Sequence, residues 1–282
     1  MKSKKIITIL GICLTLGALA LITVQFQKPT KAVKGITTPE PTIIISSPEE
    51  EDEIPQEKFY APIIAYHHLA KHWPQNSYYV SPEIFDQQMA WLKTNDFQVI
   101  SFDKFYEAAI GKGTIPQKPV VITFDDGNVD NYTNALPILK KYGLTAIFFI
   151  KTNGISQKGK GMTWDKLKEM TEAGMTIGSH SLTHRNMARM DEETLSFELK
   201  ESKKILEKNL DIEVKYFAYP GGSYSERTIE ATKEAGYLAA VTTKHKVYQE
   251  IKDENSLYEL PRVHIDDEMP TFMDWIQGIN LY

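Results

Sequence analysis

From about residue 58 onward, short apolar runs alternate with amphipathic helical patterns, and this alternation constrains the fold of the chain more than any other feature. Val120-Val121-Ile122-Thr123-Phe124 is the most informative run, because continuous rather than alternating hydrophobicity marks a strand covered on both faces. Comparable runs predict strands at residues 62–66, 146–150, 175–178, 216–219 and 238–241, and Leu260-Pro261-Arg262-Val263-His264 reads as a late strand. Helices are predicted between them. One covers residues 82–95, with Ser81 as cap and Pro82 at the first helical position, and another contains Ala135, Ile138 and Leu139 and stops at Gly143. Residues 164–173 lie between a capping Thr163 and Gly174, residues 192–209 form a long charged helix, and residues 226–235 end at Gly236. The pattern predicts an α/β domain over residues 58–282 with a mostly parallel sheet, either open or closed into a barrel.

Two appendages precede that domain. Lys2, Lys4 and Lys5 are followed by Ile6 to Phe26 without a charge, a stretch of 21 residues, long enough to span a bilayer as a helix. The basic flank predicts a cytoplasmic N-terminus and export of the remainder of the chain, so residues 1–26 read as a signal peptide or a membrane anchor. Residues 27–57, with Pro29, Pro39, Pro41, Pro48, Pro55 and the Glu49–Glu53 acidic run, read as a disordered linker that could hold the domain off the membrane. Cys13 is the single cysteine, which excludes a disulfide framework and a cysteine-rich metal cluster, and Ile12 before it is too large for a lipidation site. A net charge of −5 and a pI near 5.9 argue against a nucleic-acid binder.

In parallel α/β folds the chemistry sits beyond the carboxyl ends of the strands. Asp125-Asp126-Gly127 follows the 120–124 run, and two adjacent carboxylates there are costly unless cations or protons are managed. His180 and His184 follow the 175–178 run. Their spacing of four would place both imidazoles on one side of a helical turn, and two imidazoles with one carboxylate make a three-ligand zinc site with a position left for water.

Thr123-Phe124-Asp125-Asp126-Gly127 followed by His180-Ser181-x-x-His184 resembles the polysaccharide deacetylase family, the NodB-homology domain of carbohydrate esterase family 4. Ala65-Tyr66-His67-His68 and Tyr216-Phe217-Ala218-Tyr219-Pro220-Gly221-Gly222 resemble its exported branch acting on poly-N-acetylglucosamine and related wall polymers. The resemblance implies a distorted (β/α) barrel of about seven strands, a divalent metal, most often Zn²⁺, held by Asp126, His180 and His184, and Asp125 as general base. The activity it implies is removal of N-acetyl groups from a GlcNAc-containing cell-surface polysaccharide. An O-acetyl esterase acting on xylan-like polymers and a non-catalytic wall-binding module are the alternatives.

Two departures from the family pattern shape the remaining expectations. Ala218 stands where the family often has an arginine touching the catalytic aspartate, so another cation is expected near Asp125, and Arg262 is the candidate. Leu260 and His264 fit loosely a Leu–His pair whose histidine protonates the leaving nitrogen. Arg262 and His264, two apart on a strand, should face the same side. His67 and His68 are alternative donors or supporting hydrogen-bond partners, one of them facing the barrel mouth. A backbone N–H in the Pro220–Gly222 turn, at Gly221, is expected to help hold the oxyanion. Tyr219 and Tyr224 are expected to line the sugar groove.

Overall fold

The computed structural model describes residues 58–278, apart from 60, 72–75, 157–161 and 248. The apolar segment at 6–26 and the linker at 27–57 therefore lie outside the described residues. No helix among the described residues is long and apolar enough to cross a membrane.

Eight strands form the central sheet: β1 (Ile63–Tyr66), β2 (Gln98–Val99), β3 (Pro119–Phe124), β4 (Ile147–Ile150), β5 (Thr176–Ser179), β6 (Tyr216–Ala218), β7 (Ala239–Val241) and β8 (Val263–His264). Seven of them follow one path in the order β7-β6-β5-β4-β3-β1-β8, and β2 pairs beside the start of β3. Every pairing is parallel. The two edges of this path are joined by a parallel bridge between Val241, at the end of β7, and Leu260, just before β8. The strand path thus runs round a ring, the arrangement of a distorted (β/α) barrel.

Helices α1 (Pro82–Thr94), α2 (Phe102–Ala109), α3 (Leu136–Tyr142), α4 (Trp164–Glu172), α5 (Glu192–Leu210), α6 (Glu226–Glu234) and α7 (Met269–Gln277) accompany the strands. Ser81, Thr163, Asp191 and Ser225 each accept a backbone N–H at a helix start, as side-chain oxygens at that position do. All six residues of β3 are buried, which is what its unbroken apolar run requires. Gly178 in β5 has a packing reason: a Cβ there would collide with the Phe149 ring and crowd the Tyr216 carbonyl oxygen.

The structure departs from the expected elements at several places. Helices α2 and α7 and strand β2 were not expected. For α2 the signal was present, since Ser101 caps it and Phe102, Phe105 and Ala109 are buried at helical spacing. A π-helical turn, Asn131–Ala135, precedes α3. Helix α5 ends on Asp211 in the left-handed conformation (φ 54°), a role that glycine usually takes.

Candidate active site

The end of β3 delivers two carboxylates in different directions. The backbone turns at Asp126 (φ 72°) and Gly127 (φ 70°), both left-handed, while Asp125 still donates its N–H to the Tyr66 carbonyl oxygen at 3.0 Å. Asp125 is buried, and Arg262 grips it with two donors: Nη1 to Oδ1 at 2.8 Å and Nη2 to Oδ2 at 2.7 Å. Arg262 also donates Nε–H to the Thr242 carbonyl oxygen and Nη1–H to Thr123 Oγ1, each at 3.0 Å. Burial by itself would raise the Asp125 carboxyl, but the Arg262 guanidinium, with His180 beside it, holds it well below the usual carboxylate range.

Asp126 faces the histidines. Its Oδ1 lies 3.3 Å from His184 Nε2 and 3.8 Å from His180 Nε2, and the ligating atoms of all three residues lie within 4.8 Å of one another. In a tetrahedral zinc site with bonds of about 2.0–2.2 Å, ligand atoms sit roughly 3.3–3.6 Å apart, so the carboxylate-to-imidazole separations are close to those of shared coordination. His180 Nδ1 lies 2.7 Å from the Ala218 carbonyl oxygen. A carbonyl can only accept, so Nδ1 carries the hydrogen and Nε2 offers its lone pair toward Asp126 and His184. Burial lowers the His180 imidazole, favouring the neutral form a metal ligand needs. The residues present therefore fit a divalent metal.

Convergence of the two histidines does not come from a helical turn, contrary to the spacing argument. Residues 180–184 form a loop in which Ser181 (φ 65°) and His184 (φ 62°) both take left-handed conformations. The loop is held from three sides. Ser181 Oγ accepts the His184 N–H at 2.9 Å, and the Ser181 and Leu182 carbonyl oxygens accept N–H groups from Thr152 and Asn153. Glu198 Oε2 accepts the N–H groups of Leu182 and Thr183 at 3.0 and 2.9 Å, while the Thr183 hydroxyl donates to Oε1. Glu198 is a buried carboxylate on the otherwise charged helix α5. It sits on the stripe of Leu195, Leu199, Ser202 and Leu206, which was the available signal.

Asp125, Asp126, His180 and His184 open into a cavity of about 570 Å³ that is also lined by His67, His68, Tyr78, Gly221, Arg262 and His264. His67 Nε2 lies 3.8 Å from Asp125 Oδ2, and its Nδ1 is buried without a partner among the described residues. Burial pushes the His67 imidazole down to about 4 against the pull of Asp125. Both His67 and His68 reach the cavity, where only one was expected, but His68 Nδ1 is bound to Asp130 Oδ2 at 2.9 Å and its ring stacks on Tyr79. Asn128 and Asn131 fix the His67 carbonyl oxygen with their side-chain amides. His264 shares a side with Arg262, and its Nε2 donates to the Ser77 carbonyl oxygen at 2.7 Å. Gly221 (φ 59°) has open space where a Cβ would stand, and it lines the cavity.

Tyr219 and Tyr224 require correction. Tyr219 is fully buried and neither residue lines the cavity. Strand alternation puts Tyr219 on the side of Phe217, whose ring it meets at 5.4 Å, and Tyr224 stacks on it from outside at 5.2 Å. The tyrosines the cavity does present are Tyr78 and Tyr79, and the Tyr79 ring is already stacked on His68.

Residues 112–240 match the family model for polysaccharide deacetylases. Over 267 residues the chain is 30% identical to YxkH of Bacillus subtilis strain 168, itself a candidate polysaccharide deacetylase, covering 93% of each chain. It is also 30% identical to a poly-beta-1,6-N-acetyl-D-glucosamine N-deacetylase of Staphylococcus aureus strain MRSA252, covering 68% of this chain and 69% of that one. Among solved structures, the Streptococcus pyogenes deacetylase PplD in complex with acetate superposes with a TM-score of 0.72 at 29% identity, over 77% of this chain and 97% of that one. Ring-like parallel sheet, paired aspartates, loop histidines and these relatives agree: the chain belongs to the polysaccharide deacetylase family.

Proposed function

We propose that this protein hydrolyses the N-acetyl groups of an exported polysaccharide built from β-linked N-acetylglucosamine, releasing acetate and leaving free amines. The observation that carries the reading is the convergence of Asp126, His180 and His184 beside an Asp125 clamped by Arg262, all at the floor of one cavity. The Staphylococcus aureus relative, named for poly-beta-1,6-N-acetyl-D-glucosamine, supports the choice of polymer.

Asp126, His180 and His184 would hold the metal, which when bound supplies Lewis-acid polarisation of the acetamide carbonyl and a more acidic water, with zinc the best match to the donor set. Asp125 accepts the proton of the attacking water. Arg262 keeps that carboxylate ionised and aimed, at the cost of basicity. His67 completes the exchange: neutral at rest, with its Nε2 3.8 Å from Asp125 at the cavity, it takes over from Asp125 the proton removed from the water and passes it to the leaving nitrogen as the C–N bond breaks. His264 has its Nε2 engaged by Ser77, which favours His67 as the donor. The Gly221 N–H adds a donor for the developing oxyanion.

Residues 6–26 as an anchor and 27–57 as a spacer would place this chemistry on the outer face of the membrane. The test is acetate release, with bound metal measured in parallel, from a panel of N-acetylated and O-acetylated glycans. Release from N-acetylglucosamine polymers is expected, and release only from acetylated xylan would overturn the reading. Fractionation of cells with and without residues 1–26 checks the anchor: full-length protein in the soluble fraction would remove it.

A further inference from the structure

Tyr78 is among the few large apolar side chains left in the open, 53% exposed, and it stands at the mouth of the catalytic cavity. An exposed tyrosine on a loop is ordinary, but this one is held in place. Its N–H donates to Asn76 Oδ1 at 3.1 Å, its carbonyl oxygen accepts the His68 N–H at 3.0 Å, and the preceding carbonyl, that of Ser77, accepts from His264 Nε2. Its ring meets the His67 ring at 4.7 Å with the planes at 77°, and the His264 ring at 5.0 Å. Two imidazoles thus brace one aromatic ring at the cavity that Asp125 also lines, while the tyrosine remains about half exposed.

We propose that Tyr78 is the sugar-binding platform of the site, on which the pyranose ring carrying the scissile acetamide stacks. The inference rests on the deacetylase reading and deepens it by naming the residue that recognises the sugar rather than the acetyl group. The axial C–H bonds of a β-linked glucosamine ring form a flat, slightly positive face, and the face of an aromatic ring carries the complementary negative charge. Because Tyr78 is fixed before substrate arrives, stacking costs little ordering entropy. The same contacts with His67 place the sugar over the proton donor, so recognition and catalysis share one cluster. Tyr219 and Tyr224, packed against each other away from the cavity, cannot do this.

The test separates binding from turnover. Affinity for an N-acetylglucosamine oligomer is measured by calorimetry in the Asp125→Asn background, with and without Tyr78→Ala. Kinetics on the same oligomer are measured for Tyr78→Ala, Tyr78→Phe and Tyr78→Trp with Asp125 intact. Tyr78→Ala is expected to weaken binding about tenfold and to raise KM similarly, with kcat falling less than threefold. Tyr78→Phe and Tyr78→Trp, which keep a ring, should stay within about threefold of wild type in both. Unchanged binding in Tyr78→Ala overturns the proposal, as does a loss confined to kcat, which would assign Tyr78 to bracing His67 instead. Failure of the deacetylase reading looks different: wild-type protein would release no acetate from any N-acetylglucosamine polymer, whatever stands at position 78.

Discussion

Replacing Arg262 by methionine should destabilise the fold in a way that reverses with pH. The side chain is 2% exposed and makes four hydrogen bonds: two to Asp125, one to Thr123 Oγ1 and one to the Thr242 carbonyl oxygen. Methionine fills most of the stem volume beside Phe149 but leaves the Asp125 carboxylate buried with no cation. Removing one partner of a buried pair costs about 3–5 kcal/mol, a large share of the roughly 5–15 kcal/mol that holds a domain together. With a urea m-value of about 2–3 kcal/mol/M, the midpoint at pH 7 should drop by roughly 1–2.5 M in metal-free protein.

The pH dependence tells this apart from a simple packing defect. In the wild type Asp125 is held below its unfolded value of about 3.9. Its stabilising contribution is therefore fully present above that value and is lost as pH falls toward the folded one. In Arg262→Met, burial acts unopposed by the guanidinium, so the folded carboxyl rises above the unfolded one and protonation favours the fold. The variant should regain stability as pH falls through its raised value while the wild-type contribution of Asp125 stays constant down to about 3.9, so the two curves should converge on the acid side. Adding Asp125→Asn to Arg262→Met should recover much of the deficit, because it removes the stranded charge. Urea titrations followed by tryptophan fluorescence from pH 4 to 8, with chelator present, measure all of this. A loss below about 1 kcal/mol, or a variant curve parallel to the wild type, would refute the argument.

Asp125→Asn should keep most of its bound metal and lose most acetate release, whereas His180→Ala should lose both; equal metal loss, read by elemental analysis, would dissolve the division of labour between the two aspartates. Glu198→Ala strands the N–H groups of Leu182 and Thr183 in the loop between His180 and His184, and if these histidines hold the metal as proposed it should weaken metal binding about 10–100-fold, checked by competition with a chromogenic chelator. Gly178→Ala forces a methyl group into the Phe149 ring inside the barrel and should cost about 1–3 kcal/mol, visible as a lowered urea midpoint with unchanged slope.

The strands that carry the site were legible because burial on both faces leaves an unmistakable mark. Residues 119–124 can be continuously apolar only if covered twice, and the polar residues just past such a run stand at the open end of a parallel sheet. Of the two-residue strands, β2 was not legible, being too short for any period to show, whereas β8 lies at the end of the 260–264 run that reads as a strand. Glu198 escaped because a charged residue on a charged helix was read by its type rather than by its place on the buried stripe. Tyr219 was misplaced for the converse reason, since a tyrosine after a strand was read by its chemistry when alternation already aimed it at Phe217. Position in the period, in both cases, was the stronger signal.

The arginine shows what kind of inference survives when a motif does not. Family patterns tie the cation beside the catalytic aspartate to a place in the chain, the one held here by Ala218. Electrostatics ties it only to a place in space: a carboxylate as buried as Asp125 stays ionised only with a fixed positive group in contact. The bridge between Val241 and Leu260 brings the segment leading into β8 across the open edge of the sheet, and Arg262 N–H is anchored there to the Lys244 carbonyl oxygen at 2.9 Å. From that edge the guanidinium crosses the barrel to Asp125, while the Ala218 carbonyl oxygen is left to orient His180. The same ring closure that seals the sheet therefore supplies the charge. Ala218 is fully buried, so an arginine there would have to be housed in the core beside a carboxylate that Arg262 already grips by both oxygens. Ala218→Arg is accordingly expected to lower stability and acetate release together, and retention of both would show that Arg262 leaves room for a second cation.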